Sequence, residues 1–365
     1  MRAETDMKKI LVLRYRFIGD TILTVPFLRN LRRAEPDAYI CWVVAPGSSD
    51  VIQGIPYIDE LKYWDPVTIH ADSRGAHRTL SAKWTFIKEL RAKRYDKVYV
   101  LKRSLSSAII ARLSGAPERI GFDTEGRGFL LTKKVPYRHD QHEVQNFLDV
   151  LRADNIPVND DNLEAWLTES EKTFADAFLR PAVVEPDEMV IALHPFAANP
   201  SRAWHADNFI ELANRLQELY RVRILVFGGK RDVPAAKRFQ ENISPAPIMA
   251  VGTTSLRESM ALLARCGLLV CNDSGIMHLA AALQIPLVAL FGPQSPIKFG
   301  PWGENCRIIY KQLPCSPCKQ KFFQECEPSH RFVPECVEAI SVAEVLEKVS
   351  GFSPELRTGL KRDAI

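Results

Sequence analysis

Short apolar runs separated by amphipathic stretches recur along the chain. A sheet of parallel strands joined by helices buries both patterns at once. Ile10–Leu13, Tyr39–Val44, Leu61–Trp64 and Lys97–Leu101 have the length and composition of buried strands. Two prolines in Pro181-Ala-Val-Val-Glu-Pro-Asp-Glu188 interrupt the pattern. It then resumes through Met189–His194, Arg223–Gly228, Ile248–Val251, Leu268–Asn272 and Pro286–Phe291. The stretch 207–220 sets Phe209, Leu212, Ala213, Leu216 and Leu219 on one helical face, which should cover a sheet. The expected organisation is α/β, with two Rossmann-like domains at 1–180 and 189–350, a linker at 181–188 and a polar tail at 351–365. A chain of 365 residues is long enough to build both cores.

With 46% hydrophobic and 25% charged residues, the composition argues against a disordered or coiled-coil protein. The first residues carry no apolar leader pattern, and no uncharged apolar run reaches the roughly 18 residues of a membrane-spanning helix, so a cytoplasmic location is expected. Charge is uneven. Residues 1–138 hold 25 basic and 15 acidic side chains, whereas 139–180 hold 3 and 10. This basic front part is either a set of solvated helix faces or a surface for an anionic partner. No helix-turn-helix, zinc-finger spacing or aromatic RNA-binding stripe accompanies it, so nucleic acid is not expected; a phosphorylated lipid at a membrane surface fits the charge.

Ligands of doubly wound sheets bind outside the carboxyl ends of the strands, which directs attention to three loops. In Arg14-Tyr-Arg-Phe-Ile-Gly-Asp-Thr21, Asp20 stands at a helix start and is either a simple N-cap or a functional carboxylate. In Leu193-His-Pro-Phe-Ala-Ala-Asn-Pro-Ser-Arg-Ala-Trp204, the guanidinium of Arg202 suits a diphosphate, a surface ion pair being the alternative, and Trp204 reads as a packing residue. The third loop, Val270-Cys-Asn-Asp-Ser-Gly-Ile-Met-His278, is the sharpest. Ser274 and Gly275 would leave free N–H groups at a helix N-terminus facing an anion, with Asp273 beside them and His278 one turn on. Dinucleotide-binding and P-loop glycine motifs and the Gly-x-Ser-x-Gly elbow are all missing from the sequence.

The chain has eight cysteines. Cys41, Cys266, Cys271 and Cys306 are scattered and unlike a disulfide framework. Cys315, Cys318, Cys326 and Cys336 form a cluster with only one C-x-x-C pair. Free or redox-labile thiols are therefore expected ahead of a structural zinc or iron–sulfur site, whose ligands these four would be.

Taken together, Ile18-Gly19-Asp20 with Thr24-x-Pro26, Arg202-x-Trp204 after His194-Pro195, Phe227-Gly-Gly229 with Asp232, and Asp273-Ser-Gly-x-x-His278-Leu-Ala resemble glycosyltransferase family 9, the heptosyltransferases of the lipopolysaccharide inner core. The resemblance covers about residues 8–350. It implies a GT-B architecture: two Rossmann-like domains facing each other across a central cleft, the first holding the acceptor and the second a nucleotide sugar. It also implies metal-independent, inverting transfer of heptose from ADP-L-glycero-D-manno-heptose, with no cofactor beyond this ADP-sugar co-substrate. Asp20 would be the general base. Arg202, Ser274, Gly275 and His278 would hold the phosphates, Asp232 the ribose, Thr254 the adenine and Asp273 the donor sugar. Lys102, Arg103 and Arg119 would meet the anionic, lipid-linked acceptor at the cytoplasmic face of the inner membrane, where the protein would associate peripherally. Two features depart from the family pattern. Arg202 replaces the Lys of many members, and Ala197 and Ala198 replace hydroxyl residues of some. The alternatives that remain are another nucleotide sugar or acceptor within the family, and a non-catalytic nucleotide-sensing or metal-binding scaffold on the same fold.

Overall fold

The structure, a computed structural model, describes residues 7–66, 75–182, 188–318, 326 and 334–352. The chain forms two compact units, Met1–Trp166 and Leu167–Ile365.

In the first unit the order is β1 (Lys9–Leu13), α1 (Ile18–Ile22), α2 (Val25–Ala34), β2 (Tyr39–Val44), β3 (Glu60–Tyr63), α3 (Leu80–Ala92), β4 (Lys97–Val100), α4 (Leu105–Leu113), β5 (Glu118–Phe122), β6 (Lys133–Val135) and α5 (Glu143–Ala153). Its strands form one parallel sheet in the order β3-β2-β1-β4-β5-β6. The chain moves outward from β1 in one direction and then returns to begin again at β4, so the β1/β4 junction is the topological switch point. Leu11, Leu13, Val98 and Val100 pack against Phe86 and Leu90 of α3 and Ile110 and Ala111 of α4, which cover one face of the sheet. The helical stretch around Asp20 is short: α1 ends at Ile22, and α2 restarts with Pro26 in its first turn, where its missing N–H is harmless. Arg29, buried in α2, bonds Asp160 at 2.9 Å and Glu164 at 3.1 Å, fixing the last segment of the unit against this helix.

The second unit runs α6 (Glu169–Leu179), β7 (Met189–His194), α7 (Ala206–Leu219), β8 (Val222–Gly228), α8 (Val233–Asn242), β9 (Ile248–Val251), α9 (Leu256–Leu263), β10 (Leu268–Asn272), α10 (Gly275–Ala282), β11 (Leu287–Phe291), α11 (Pro296–Phe299), β12 (Cys306–Tyr310), α12 (Glu335–Glu338) and α13 (Val342–Ser350). Its parallel order, β12-β11-β10-β7-β8-β9, puts the switch point between β7 and β10. Phe209, Leu212, Ala213 and Leu216 of α7 pack on this sheet as the periodicity requires. Leu219 does not: at the last turn of α7 it is exposed, because the helix ends as the chain turns into β8.

The unit boundary falls ahead of the expected linker. Helix α6 starts on a capping box between Thr168 and Glu171 and belongs to the second unit. There Glu171 takes two bonds from Arg257 of α9, at 2.7 and 2.6 Å, and this guanidinium holds its carboxyl down at about 2. Of the 181–188 linker, residues 183–187 lie outside the described residues, as does the tail beyond 352. The strand pattern also missed β5, β6 and β12. β5 opens on Glu118 and Arg119 and contains Gly121, where a Cβ would stand 2.7 Å from the carbonyl oxygen of Val100. β6 and β12 are the outermost strands of their sheets, where polar residues are tolerated. Among the described residues, no helix is long and apolar enough to cross a membrane.

Candidate functional site

In the first unit, the loop after β1 carries Arg14, Arg16 and Asp20, and the loop after β4 carries Lys102 and Arg103, so all five residues flank the switch point. Asp20 caps no helix. It lies inside the first turn of α1, whose preceding residue, Phe17, takes φ 48°. The Asp20 carboxylate accepts from Arg14 Nη2 at 2.6 Å, and the two side chains are 17% and 8% exposed. Arg14 is held from several sides. Its backbone N–H donates to Val43, Trp42 Nε1 donates to its carbonyl at 3.2 Å, and its guanidinium stands 5.2 Å from the centre of the Phe147 ring. The sequence reading did not select Arg14, although its position directly after a strand was the available signal.

Lys102 has no acidic partner at ion-pair distance among the described residues. Burial pushes its ammonium down to about 8, with Arg14, Arg16 and Arg103 adding to the effect and Asp20 opposing it. Arg103 stacks over Tyr137 at 3.9 Å and lies 3.6 Å from Glu143. Arg14, Arg16, Lys102 and Arg103 outnumber the carboxylates of Asp20 and Glu143 beside them, so the Asp20 end of the sheet carries an excess of positive charge suited to an anionic ligand. Arg119 does not join them. It pairs in register with Val98 near the amino end of the strands, and its guanidinium donates to the carbonyls of Leu130 at 2.9 Å and Ala116 at 2.6 Å. Its side chain is used to brace a turn at the opposite end of the sheet.

In the second unit the candidates follow four adjacent strands, β10-β7-β8-β9. Ser274 is the N-cap of α10, and its side chain makes no capping bond; Met277 donates its N–H to the Ser274 carbonyl, leaving the N–H groups of Gly275 and Ile276 for another acceptor. Its hydroxyl lies 3.4 Å from Nδ1 of His194, the last residue of β7. Burial pushes His194 down to about 4, so it is neutral at ordinary pH, with nearby Asp232 opposing the shift. Arg202 reaches Asp273 Oδ2 at 3.3 Å. Burial holds the Asp273 carboxyl above the usual carboxylate range, and Arg202 only partly offsets this. His278 is buried in α10. Asn272 ties the loop down: its Oδ1 accepts from the Trp204 N–H at 3.0 Å, and its Nδ2 donates to the Pro195 carbonyl at 2.9 Å. Trp204 is a packing residue, as expected; it is 1% exposed and donates to Ile340.

Asp232 follows β8 and accepts from the Gly229 N–H at 2.8 Å. Thr254 follows β9, its hydroxyl bonded to the Ala250 carbonyl at 3.2 Å and to Ser259 at 2.8 Å. Gly228 leaves room for Phe196, since a Cβ there would stand 2.7 Å from the ring. The resulting set comprises an open helix N-terminus, a guanidinium, a buried carboxyl and a neutral imidazole at one switch point, with a second carboxylate after the next strand, β8. It is equipped to hold a diphosphate and a polyhydroxylated group attached to it.

The four clustered cysteines form no disulfide. Cys315 is exposed, Cys318 and Cys326 are half-buried, and Cys336 is buried. Among the described residues, no group of three His, Cys, Asp or Glu side chains is arranged to hold a metal ion. The cluster is anchored to the end of β11, where Cys318 donates its N–H to Pro293 and Ser316 its hydroxyl to Gly292.

Residues 83–326 match glycosyltransferase family 9 (heptosyltransferase). The chain is 31% identical over 317 residues to lipooligosaccharide heptosyltransferase 2 of Haemophilus influenzae Rd, an alignment covering 82% of this chain and 88% of that one. The family 9 glycosyltransferase structure from Veillonella parvula DSM 2008 superimposes with a TM-score of 0.80 at 25% identity, covering 94% of this chain and 97% of the other. That of Escherichia coli ADP-heptose LPS heptosyltransferase II does so with a TM-score of 0.74 at 24% identity, covering 94% and 98%. With its paired Rossmann-like units in the GT-B class and its match over most of the sequence, the chain belongs to glycosyltransferase family 9 and is an enzyme of glycosyl transfer.

Proposed function

We propose that the protein transfers heptose from ADP-L-glycero-D-manno-heptose to the inner core of lipopolysaccharide, with inversion at the anomeric carbon. The observation that carries this reading is the anion cradle at the β7/β10 switch point, where the open N-terminus of α10 and Arg202 converge beside a buried Asp273. The names of the Haemophilus and E. coli enzymes support the heptosyl group, the ADP carrier and the lipid-linked acceptor.

In this mechanism Asp20 accepts the proton of the acceptor hydroxyl while that oxygen bonds to the anomeric carbon. The bond from this carbon to the diphosphate breaks, and ADP leaves with the electron pair. Negative charge growing on the diphosphate meets Arg202 and the N–H groups of Ser274 and Gly275. His278 contributes from one turn further along α10. Asp232 is assigned to the ribose, Thr254 to the adenine and Asp273 to hydroxyls of the sugar. A buried carboxylate oxygen can accept from a sugar hydroxyl. The cation and helix terminus supply the leaving-group stabilisation that a metal gives in other transferases, so the transfer is written without one. Lys102 and Arg103 are assigned to anionic groups of the acceptor, and Arg119 is withdrawn from that role by its three backbone carbonyl partners. The protein would work at the cytoplasmic face of the inner membrane.

The test is transfer from ADP-heptose to a heptose-deficient lipopolysaccharide acceptor, with the product anomer read by NMR, alongside calorimetry with ADP, UDP and GDP. Selective ADP binding and an inverted product support the reading. Preference for another nucleotide moves the donor elsewhere in the family, and absence of any nucleotide binding removes the catalytic reading.

A further inference from the structure

Helices α3 and α4 lie side by side on the same face of the first unit's sheet, burying Phe86 and Leu90, and Ile110 and Ala111. Their outward faces are unusual. On α3, Leu80 is 76% exposed and Trp84 54%; on α4, Leu105 is 52% exposed and Ile109 41%. Each outward stripe then ends in a cation, Lys88 on α3 and Arg112 on α4. Leu80-Trp84-Lys88 and Leu105-Ile109-Arg112 therefore repeat one pattern, apolar, apolar, basic, at helical spacings of three and four.

The two stripes are in step. Both helices return from the carboxyl ends of parallel strands, so they run in the same direction. Their C-terminal ends touch: a Cβ on Gly115 would stand 3.7 Å from the Arg91 side chain. Counting back ten residues from Gly115 reaches Leu105, and eleven from Arg91 reaches Leu80, which brings the two apolar ends level to within about one turn. Lys88 and Arg112 have no acidic partner among the described residues, and Arg112 lies near enough to Arg119 to add to the lowering that burial imposes on that guanidinium. Residues 1–138 carry ten more basic than acidic side chains. Leu105 begins α4 only three residues after Lys102, so this face borders the sheet end that holds Asp20.

Four large apolar side chains in solvent, backed by unpaired cations, match the interface of an anionic bilayer: acyl boundary for the apolar ends, headgroup phosphates for the basic ones. We propose that the α3/α4 face is the membrane-docking surface of this enzyme, inserting Leu80, Trp84, Leu105 and Ile109 between anionic headgroups. The proposal rests on the reading that the acceptor is lipid-linked, and it gives the docking a direction, with the Asp20 end of the sheet turned toward the lipid.

The test is co-sedimentation of the full chain with vesicles of phosphatidylethanolamine and phosphatidylglycerol, against vesicles of phosphatidylcholine. The anionic vesicles should bind the protein, salt should weaken binding, and the tryptophan emission should shift to the blue in the wild type but not in Trp84→Phe. Leu80→Ser/Trp84→Ser should lower partitioning by about a hundredfold, and Lys88→Glu or Arg112→Glu by about fivefold per charge removed. All three of these variants should keep ADP affinity and turnover on a deacylated, soluble acceptor. Wild-type partitioning in the Leu80→Ser/Trp84→Ser variant overturns the proposal. So does a wild-type protein that ignores anionic vesicles yet sediments as a dimer that the same variant dissociates. Vesicle binding needs neither donor nor turnover, so docking without transfer counts against the catalytic reading alone. Transfer to soluble acceptor with vesicle binding unchanged in the variants counts against the docking face alone.

Discussion

Arg14 and Asp20 form a 2.6 Å ion pair at the switch point of the first sheet, with the guanidinium almost fully buried and the carboxylate largely so. A buried pair of this kind contributes orientation more than net stability, because desolvating both charges offsets much of their attraction. Removing one partner is different, since the other charge is left buried and unpaired. Arg14→Met should therefore cost about 3 kcal/mol of unfolding free energy in a denaturant titration, whereas Asp20→Asn should cost less because the amide oxygen still accepts.

The same pair separates base from scaffold. Asp20→Asn should lower kcat by about 100-fold to 10,000-fold with ADP affinity unchanged, as for loss of a general base. Near-normal turnover would falsify the assignment of the base to Asp20. Arg14→Lys should recover part of the activity lost in Arg14→Met, because it keeps the charge but not the planar fork.

Lys102 gives a prediction in pH. Its folded value, about 8, lies below the usual 10.5, so between these values the unfolded state binds more protons and stability rises with pH. Below about 8 the buried ammonium lowers stability. Lys102→Met should raise the melting temperature at pH 7, and this gain should shrink as the pH approaches 10. If Lys102 meets an acceptor anion, the same substitution should raise KM for the acceptor, making the variant more stable and less active.

What could be read from the sequence alone follows from which interactions are local. Strands β1 to β4 and β7 to β11 were legible because buried parallel strands are largely continuous apolar runs, and the α10 turn was legible because Asp273-Ser274-Gly275 is contiguous. Arg14, His194 and Asn272 were not. The roles of His194 and Asn272 depend on which strands are neighbours, and His194 next to Ser274 emerges only once the β7/β10 junction exists; Arg14 meets Asp20 locally, but only because the turn at Phe17 folds the segment back. Arg119 failed for the same reason, since a basic residue in sequence carries no information about which end of its strand it occupies. The 181–188 boundary was misplaced because prolines mark a break in local structure, whereas the contacts of α6, made by Glu171 and Asp176 with Arg257 and Arg265, assign it to the following unit.

Arg202 and Asp273 test the donor side. Arg202→Ala should weaken ADP binding by about 10-fold to 100-fold in calorimetry, the range for losing one charge-assisted partner of a phosphate, and Arg202→Lys should recover most of it. Asp273→Ala should leave ADP binding nearly intact and raise KM for the full ADP-sugar, if its carboxyl contacts the sugar rather than the nucleotide.

The clustered thiols should differ in reactivity. Cys315 is exposed, whereas burial pushes the Cys336 thiol up to about 12, with the neighbouring thiols adding to the shift. Because the thiolate is the reactive form, a maleimide at pH 7 should label Cys315 well before Cys336, as read by peptide mass spectrometry. Equal slow labelling of all four, with zinc or iron in the purified protein, would instead assign them to a metal.

His194 should make the second unit sensitive to acid. Its imidazole is neutral in the folded protein, held at about 4 by burial against a usual 6.5, so between these values the unfolded state binds the proton and the folded state does not. Stability therefore rises with pH through this window and is lost as pH falls from 6.5 toward 4, by a total on the order of 3 kcal/mol. His194→Gln keeps a polar side chain opposite Ser274 but cannot take up the proton. The melting temperature of this variant should fall less between pH 6.5 and 4 than that of the wild type. Parallel melting curves for the two proteins would mean that the imidazole is protonated in the folded state and is not held neutral beside the α10 terminus.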